Sequence, residues 1–457
     1  MSLDGVNLNR GFFHFTTPYS WVSWIFWIIG LLMVVAGLVT FMEGGGIVAA
    51  FGFFIIALLS PASLQTDLHN VRKNAPQPDD LETEALKNGY ELESWFFGRS
   101  SYSPTNDPND WILPAPGPST WNQDDRYAAD GDGTPLAEHP TKVGTPIPAT
   151  LATFGISMVL FILFLSISLG MLVLDEKAMV DSGEMLAEDA AMKYTPIIMS
   201  VIGFIWLLVG FFQHKSQQQM IDTPTSLVRS VPVGSAELVG QVRPAPEQWI
   251  NVVVDGNPNR MIPGCVDYRW EYEVYVCRQV TSTDSDGNTT TREECNWQNV
   301  RSDSGYVPFM LHDGTGGIRV ESGSFKKKDL GNYVKMWTSS HADTLRDHFQ
   351  TEFAARLFRN GDVRKHRWTA HALRIGNPVY LLGMVKPRSN EEMARENLDG
   401  KVGHTAISVH GENTPGMKAN IQRGTELANL GRIRSSAELL IMPIVCILCG
   451  ISMFALI

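Results

Sequence analysis

The sequence predicts a multi-pass α-helical membrane protein, with about five spans, that carries a β-rich α+β domain outside the membrane. Two observations lead to this fold class: the apolar residues are bunched into stretches with almost no charge, and residues 214–436 are dense in strand signals. A helix needs about 20 apolar residues to cross a hydrocarbon core of about 30 Å. Five stretches reach or approach that length: 20–42, 47–60, 151–174, 195–213 and 438–457. This pattern excludes a cytosolic soluble enzyme.

The apolar stretches divide the chain into six predicted parts. In order, these are an N-terminal tail at 1–19, a transmembrane hairpin at 20–61, an acidic Pro-rich loop at 62–149, a second transmembrane hairpin at 150–213, a β-rich domain at 214–436 and a C-terminal transmembrane helix at 437–457.

The first predicted hairpin combines one long apolar stretch with one short one. Trp21, Trp24 and Trp27 stand near its start, where aromatic side chains suit the membrane interface. The sequence Glu-Gly-Gly-Gly at 43–46 then breaks the apolar run, and the next stretch, 47–60, is short for a span. We predict that this second stretch returns across the membrane. The alternative is a re-entrant or buried helix.

Basic residues near the membrane predict sidedness, because cytoplasmic flanks carry an excess of Lys and Arg. Five spans place the N-terminus, the 61–149 loop and the 214–436 region on one side. That side has seven flanking basic residues: Arg10, Arg72, Lys73, Lys142, Lys215, Arg432 and Arg434. The opposite side has two, Lys177 and Lys193. The count therefore predicts a cytoplasmic β-rich domain on an integral membrane protein.

The 61–149 region is rich in proline and acid, with 12 of the 25 prolines and 14 acidic residues against 6 basic ones. Such proline runs are typical of extended linkers. One interpretation is an irregular loop that packs a few aromatic residues, among them Trp111, onto the membrane or the neighbouring domain. The other is an acidic loop that binds a partner. The sequence leaves both open.

Strands and one helix are predicted within 214–436. Residues 268–276 alternate apolar with charged side chains, the period of a half-buried strand. Asp286-Gly287 is a two-residue hairpin turn signal, and the chain returns through 295–300. A helix is predicted from an N-cap at Ser340 to Asn360-Gly361, with apolar residues at every fourth position: Leu345, Phe349, Phe353 and Leu357.

These segments resemble a known family, the GIDE or "beside a membrane" domain of mitochondrial and chloroplast membrane-anchored RING-type ubiquitin ligases. The resemblance covers roughly 195–457 and is carried by five segments in order: Val239–Val242, Arg269–Tyr272, Trp297–Val300, Val307–Gly314 and Ala372–Gly383. It implies a domain that recognises partner proteins beside a membrane.

The chain departs from that family in the part that carries chemistry. A RING needs about eight Cys and His ligands for two zinc ions. The sequence ends at Ile457 in an apolar stretch, and two of its five cysteines, Cys446 and Cys449, lie inside that stretch. We therefore expect two inert buried thiols there, no zinc site and no ligase activity in this chain. A ubiquitin-ligase role, in protein ubiquitination and organelle organisation, stays open only as an alternative that needs a RING on a separate chain.

A basic aromatic cluster is the main candidate site, formed by Arg364, Lys365, His366, Arg367 and Trp368. One interpretation is a solvated turn. The other is attraction to anionic lipid headgroups or to an acidic partner, at about 1 kcal/mol per basic residue near a membrane surface, with a possible contribution from the lysines at 326–328. Asp313–Gly317 lacks the lysine and the following helix of a phosphate loop, so we expect an ordinary turn.

Cys277 and Cys295 flank the predicted hairpin turn and would face each other across it if one strand contains a one-residue bulge. A disulfide there requires an oxidising compartment, and Asn288-Thr-Thr290 at the same turn is a glycosylation sequon. Both features favour an external domain and oppose the basic-residue count.

The sequence contains no convincing catalytic set, so the predicted function is recognition. We expect a membrane-tethered recognition or scaffold protein whose β-rich domain binds a partner protein or anionic lipid, with no catalytic residue, metal or cofactor. The net charge of −11 argues against nucleic acid as a partner. A transporter is disfavoured because transport paths usually carry ionisable residues within the spans, and the apolar stretches of this chain have almost none. The oligomeric state is left open.

Overall fold

The computed structural model describes residues 11–41, 44–62, 65–74, 111–113, 126–139, 150–182, 194–222, 225–283, 289–331, 335–340, 362–398, 403–431 and 434–455. The chain divides into two compact units. A helical unit contains residues 1–74, 140–224 and 427–457, and a β unit contains residues 75–139 and 225–426.

Apolar helices form most of the helical unit. Its helices are α1 (Trp21–Val39), α2 (Gly46–Leu59), α3 (Gln65–Asn74), α4 (Thr153–Asp181), α5 (Thr195–Asp222) and, after two short helices at the end of the β unit, α8 (Ser436–Phe454). Within the described residues, α1, α4, α5 and α8 are long and apolar enough to cross a membrane, and α2 is a shorter apolar helix. These helices fit the predicted membrane association. Helix α5 runs nine residues beyond the predicted end of its span at 213.

Glycines let α1 and α2 pack closely as the predicted hairpin. A Cβ added at Gly37 would lie 2.4 Å from the Ala49 backbone nitrogen, and one added at Gly52 would lie 2.6 Å from the Gly30 carbonyl oxygen. Such close backbone approach is typical of small residues between apolar helices. Gly44, between the two helices, has a φ of +89°, which glycine adopts without strain.

Polar contacts at one end of the helical unit connect its N-terminal segment to α4 and α8. Strands β1 (Phe13–His14) and β2 (Leu151–Ala152) pair in parallel. The backbone N–H of Thr16 donates to the Thr153 hydroxyl, 2.6 Å away. The buried carboxylate of Glu438, in the first turn of α8, accepts from the N–H groups of Ala152 and Gly155 at the start of α4. A carboxylate suits a helix N-terminus because the N–H groups there lack intrahelical partners.

The β unit contains twelve of the described strands. They are β3 (Gly234–Pro244), β4 (Ile250–Val253), β5 (Met261–Thr283), β6 (Thr289–Tyr306), β7 (Phe309–His312), β8 (Gly317–Glu321), β9 (Lys328–Asp329), β10 (Lys335–Ser340), β11 (Asp362–Arg374), β12 (Pro378–Pro387), β13 (Ile407–His410) and β14 (Asn420–Arg423). The short helix α6 (Asn390–Arg395) also belongs to this unit, and α7 (Glu426–Gly431) begins at its last residue and continues into the helical unit.

Seven strands form the larger sheet, in the order β13-β8-β7-β3-β12-β14-β9. Strand β13 also pairs with β12, so five of these strands close into a small barrel. Apolar side chains from the barrel strands fill the core, including Leu238, Phe309 and Leu381, which are fully buried. Burial of such side chains stabilises the fold by about 1.5–3 kcal/mol each.

The smaller sheet has five strands, in the order β10-β11-β5-β4, with β6 also paired to β5. One face is buried and contains Trp270, Tyr272 and Trp368; the other carries charged and half-buried aromatic side chains. Strand β11 begins opposite Cys277. Among the described residues, the ends of β5 and β6 beyond that point, 278–283 and 289–294, pair with each other alone and form a two-stranded ribbon.

Part of the Pro-rich region belongs to the β unit. The buried indole of Trp111 donates from Nε1 to the Gly376 carbonyl at 2.8 Å. Arg243 on β3 forms a two-point ion pair with Asp130, at 2.9 and 2.6 Å. These contacts agree with the interpretation in which aromatic residues of this region pack onto the neighbouring domain. The helix predicted over 341–361 lies outside the described residues, and Ser340, its predicted cap, is the last residue of β10.

Candidate recognition groove

The basic aromatic cluster at 364–368 requires a correction, because these residues are not a turn. They lie in the middle of β11, between β10 and β5. The side chains of His366 and Trp368 point into the core and have no exposed surface. These two residues therefore have no surface with which to contact lipid or a partner in this fold.

The remaining three members of the cluster carry less free charge than the sequence suggested. Arg364 is paired with Glu293. Arg367 donates to Glu273, at 2.9 Å from Nε, and its guanidinium lies 4.1 Å from the centre of the Trp297 ring. Lys365 is exposed. The two acidic partners oppose the attraction of these arginines to anionic headgroups, and the lipid contact of this cluster stays a prediction.

Cys277 and Cys295 form a disulfide at the base of the two-stranded ribbon. They are directly opposite in the β5–β6 register, and no bulge separates them from the Thr283–Thr289 pair that flanks the turn. The predicted bulge is absent from this described stretch, and the observed bulge lies farther along, beside Tyr272. Asn288, the acceptor residue of the sequon, lies outside the described residues, and Thr289 and Thr290 are the first residues of β6.

The disulfide also prevents metal binding at the group of potential metal ligands found among the described residues. The ligand atoms of Cys277, Glu293 and Cys295 lie within 4.8 Å of one another. A metal requires thiolate sulfur, and both sulfurs are bonded to each other here. Cys446 and Cys449 are free and buried within α8, as expected for apolar surroundings.

The turn at 313–317 is buried and is held by hydrogen bonds to the side chain of Asp313. The Asp313 carboxylate accepts from the backbone of Val228 and from both the N–H and the hydroxyl of Thr315. This arrangement leaves the carboxylate directed into the protein. It has the local chemistry of a capped turn and presents no row of N–H groups to a phosphate.

A groove at the edge of the smaller sheet is a candidate site of the β unit. Its volume is about 550 Å³, within the range of ligand-binding clefts. Its floor comes from β5, β6 and β11 and its opposite wall from 323–331. The lining residues are Asp267, Tyr268, Arg269, Ser304, Gly305, Tyr306, Gly323, Phe325, Lys326, Lys328, Asp329, Leu330, Gly331 and His371.

Two glycines give the groove its aromatic surfaces. A Cβ on Gly305 would lie 2.7 Å from the Tyr268 ring, and one on Gly323 would lie 2.1 Å from the Tyr306 ring. Any larger residue would push these rings away. Each tyrosine ring therefore lies close to a glycine backbone, and Tyr306 remains 57% exposed at the mouth of the groove.

The charged residues of the groove form two groups: ion-paired residues inside it and exposed residues at its rim. From the wall, Lys328 donates to Asp267 in the floor at 2.6 Å, and Ser322 donates to the same carboxylate. Burial raises the pKa of Asp267 above its ordinary value, while these two donors oppose the rise. Exposed Lys326 lines the rim, and Lys327, the next residue in the chain, is also exposed but does not line the groove; we call these two the rim lysines. The groove thus offers aromatic faces, hydroxyl groups, the exposed cations Arg269 and Lys326 and one exposed carboxylate, Asp329. The cations outnumber the exposed carboxylate, which suits a ligand with acidic groups.

Sequence analysis missed this groove because its two sides are separated along the chain by up to about 60 residues. The lysines at 326–328 were noted only as an addition to the basic cluster. The glycines at 305 and 323 have no pattern that pairs them with particular tyrosines. Comparison of the chain with protein-family models, with curated proteins and with solved structures finds no match.

Proposed function

We propose that this protein is a membrane-tethered recognition protein whose groove binds a short acidic segment of a partner protein. The observation that carries the proposal is the groove itself: exposed Tyr306 and half-buried Tyr268 beside the rim lysines Lys326 and Lys327. Tyrosine supplies contact area and a hydrogen-bonding hydroxyl at low entropic cost. The proposal is confined to binding.

Charge favours an acidic protein segment over a lipid surface. Arg364 and Arg367, which were expected to attract anionic headgroups, already have Glu293 and Glu273 as partners. The rim lysines stand beside a concave aromatic surface, which a side chain can enter and a flat layer of headgroups cannot fill. Ligand sites of this concave kind usually combine apolar contact with a few polar groups.

The disulfide revises the expected compartment. A bond between Cys277 and Cys295 persists in oxidising surroundings and is rare in the cytosol. The basic-residue count favours the cytoplasm. Because a covalent bond at the base of a two-stranded ribbon has a structural role that a count of flanking lysines lacks, we propose that the β unit faces an oxidising compartment.

Site-specific photo-crosslinking tests the groove. We would replace Tyr306 with benzoylphenylalanine in the full chain in its native membrane, and identify the crosslinked molecules. The expected products are protein segments rich in Asp and Glu, whose yield falls when Lys326 and Lys327 are both changed to Glu. Ala394, exposed on α6 outside the groove, is the matched control position. Crosslinks to lipid alone, or an equal yield from Ala394, would refute the proposal.

A further inference from the structure

Two buried glutamates share one threonine hydroxyl at the edge of the β unit. The Thr225 Oγ1 atom lies 2.7 Å from Glu237 Oε1 and 3.0 Å from Glu426 Oε2. Tyr380 donates its phenolic hydrogen to the other Glu237 oxygen, at 2.7 Å. Glu237 is fully buried and Glu426 is 1% exposed. We call these four residues the Glu237 cluster.

A count of hydrogens shows that the cluster needs one additional proton. Thr225 has a single hydroxyl hydrogen, which makes one strong hydrogen bond. With both glutamates ionised, one of its two short contacts would bring oxygen lone pairs together without a hydrogen. With a proton on Glu237 Oε1, the chain is complete: Tyr380 donates to Glu237, Glu237 donates to Thr225, and Thr225 donates to Glu426.

The Glu237 cluster contains both end residues of one segment of the chain. Thr225 and Glu426 are the first and the last residues of the 225–426 segment of the β unit. Helix α5 ends three residues before Thr225, and Glu426 opens α7, which precedes α8. The cluster therefore joins the two points at which the chain enters and leaves the main part of the β unit.

The surroundings of Glu237 favour the proton. Burial raises the pKa of its carboxyl to about 8, and the charge of Glu426 adds to the rise, while the donors Tyr380 and Thr225 oppose it. The titratable groups that act on Glu237 from the neighbouring elements are Tyr380 on β12 and Glu426 on α7.

We propose that the Glu237 cluster is a proton-operated joint, closed when Glu237 is protonated and loosened when Glu237 ionises. In the closed form the two ends of the 225–426 segment are held together by a complete chain of hydrogen bonds. Ionisation places two carboxylates on one hydroxyl in a buried site, and their repulsion separates the ends. The joint makes the contact between the two ends of the 225–426 segment responsive to alkaline pH.

The direction of the effect follows from proton linkage. An open, solvated Glu237 releases its proton near the ordinary value of 4.5, whereas the closed form keeps it until about 8. The open form therefore gains over the closed form as pH rises between these values. The opening equilibrium increases by up to about tenfold per pH unit in this window and levels off above it.

Hydrogen exchange of the full chain in detergent tests the joint. Peptides covering 225–239 and 420–431 should lose protection from pH 6 to 8 by about tenfold per unit, after correction for the intrinsic exchange rate. Glu237→Gln keeps the hydrogen-bond chain without an ionisable group, so its protection should stay constant. Glu391→Gln, at an exposed position on α6, is the matched control and should behave like the wild type.

A second variant keeps the test decisive if Glu237→Gln folds poorly. Tyr380→Phe removes a donor that stabilises the Glu237 carboxylate, so the loss of protection should move to higher pH. If the wild-type peptides show no loss of protection beyond that of the barrel strands, the proposal is overturned. The same conclusion follows if either variant retains the wild-type profile.

Discussion

At the residue scale, Trp368 is a core residue, although its neighbours in the chain are basic. Its ring stacks on Tyr272 with centroids 4.8 Å apart, and the Arg260 guanidinium lies 3.5 Å from its centre. Its Nε1 donates to Asp255 at 3.0 Å. These partners are about 100 residues earlier in the chain, so no local pattern indicates them. In sequence, the basic residues around Trp368 suggested a surface.

The burial of Trp368 leads to a clear mutational expectation. Replacement by Ala leaves a large cavity between Tyr272 and Arg260, and buried Trp→Ala changes typically cost about 3–5 kcal/mol. Lys365→Ala, three residues away and exposed, should change stability by less than about 0.5 kcal/mol. The free energy of opening of the β11 amides, from hydrogen exchange of the full chain, measures both. Equal small effects would mean that Trp368 is not part of the core.

At the element scale, the alternation of apolar and polar residues predicted parts of β5 and β6 but did not lead to a prediction of β11. The strand predicted at 268–276 and the return through 295–300 are confirmed as parts of β5 and β6. In β11, His366, Trp368, Ala370 and Ala372 are buried, while Arg367 and His371 between them are partly exposed. The same period of two was present in the sequence. A bulge at Arg364 and the high charge obscured it.

The helical hairpin α1–α2 is supported by an argument from the parallel β1–β2 pair. Phe13 pairs with Leu151, so the chain before α1 and the chain before α4 meet on one side. If α1 crosses a membrane, the chain must cross back before Leu151. Helix α2 is the apolar helix available among the described residues between them. Short as it is, α2 is therefore expected to complete a crossing, which gives five in total.

Epitope insertion tests this topology. Gly44 and Gly416 both have open space around the position of a Cβ, so each tolerates a short insertion. We expect a tag after Gly44 on the cytoplasmic side and a tag after Gly416 on the opposite, oxidising side, measured with membrane-impermeant antibodies on intact and opened cells. Both tags on one side would show that α1 and α2 do not cross. A cytoplasmic Gly416 tag would contradict the proposed compartment.

At the scale of the whole molecule, the order of apolar and polar parts could be predicted and their assembly could not. Apolar length indicated the helices directly. The inclusion of Trp111 and Asp130 in the β unit depends on contacts with Gly376 and Arg243, which are more than 100 residues away. The groove likewise depends on sheet register and on a wall from 323–331. Local patterns carry no information on such long-range pairings.

The central claim is that the groove recognises acidic segments through its rim lysines. Its most direct test is the affinity of a labelled acidic peptide and of its basic counterpart for the full chain in nanodiscs of neutral lipid. Changing Lys326 and Lys327 to Glu should weaken binding of the acidic peptide by about tenfold, since exposed ion pairs contribute up to about 1 kcal/mol each, and should improve binding of the basic one. Lys418→Glu, at an exposed lysine outside the groove, should change neither. If the acidic peptide binds the double variant as well as the wild type, the account is contradicted.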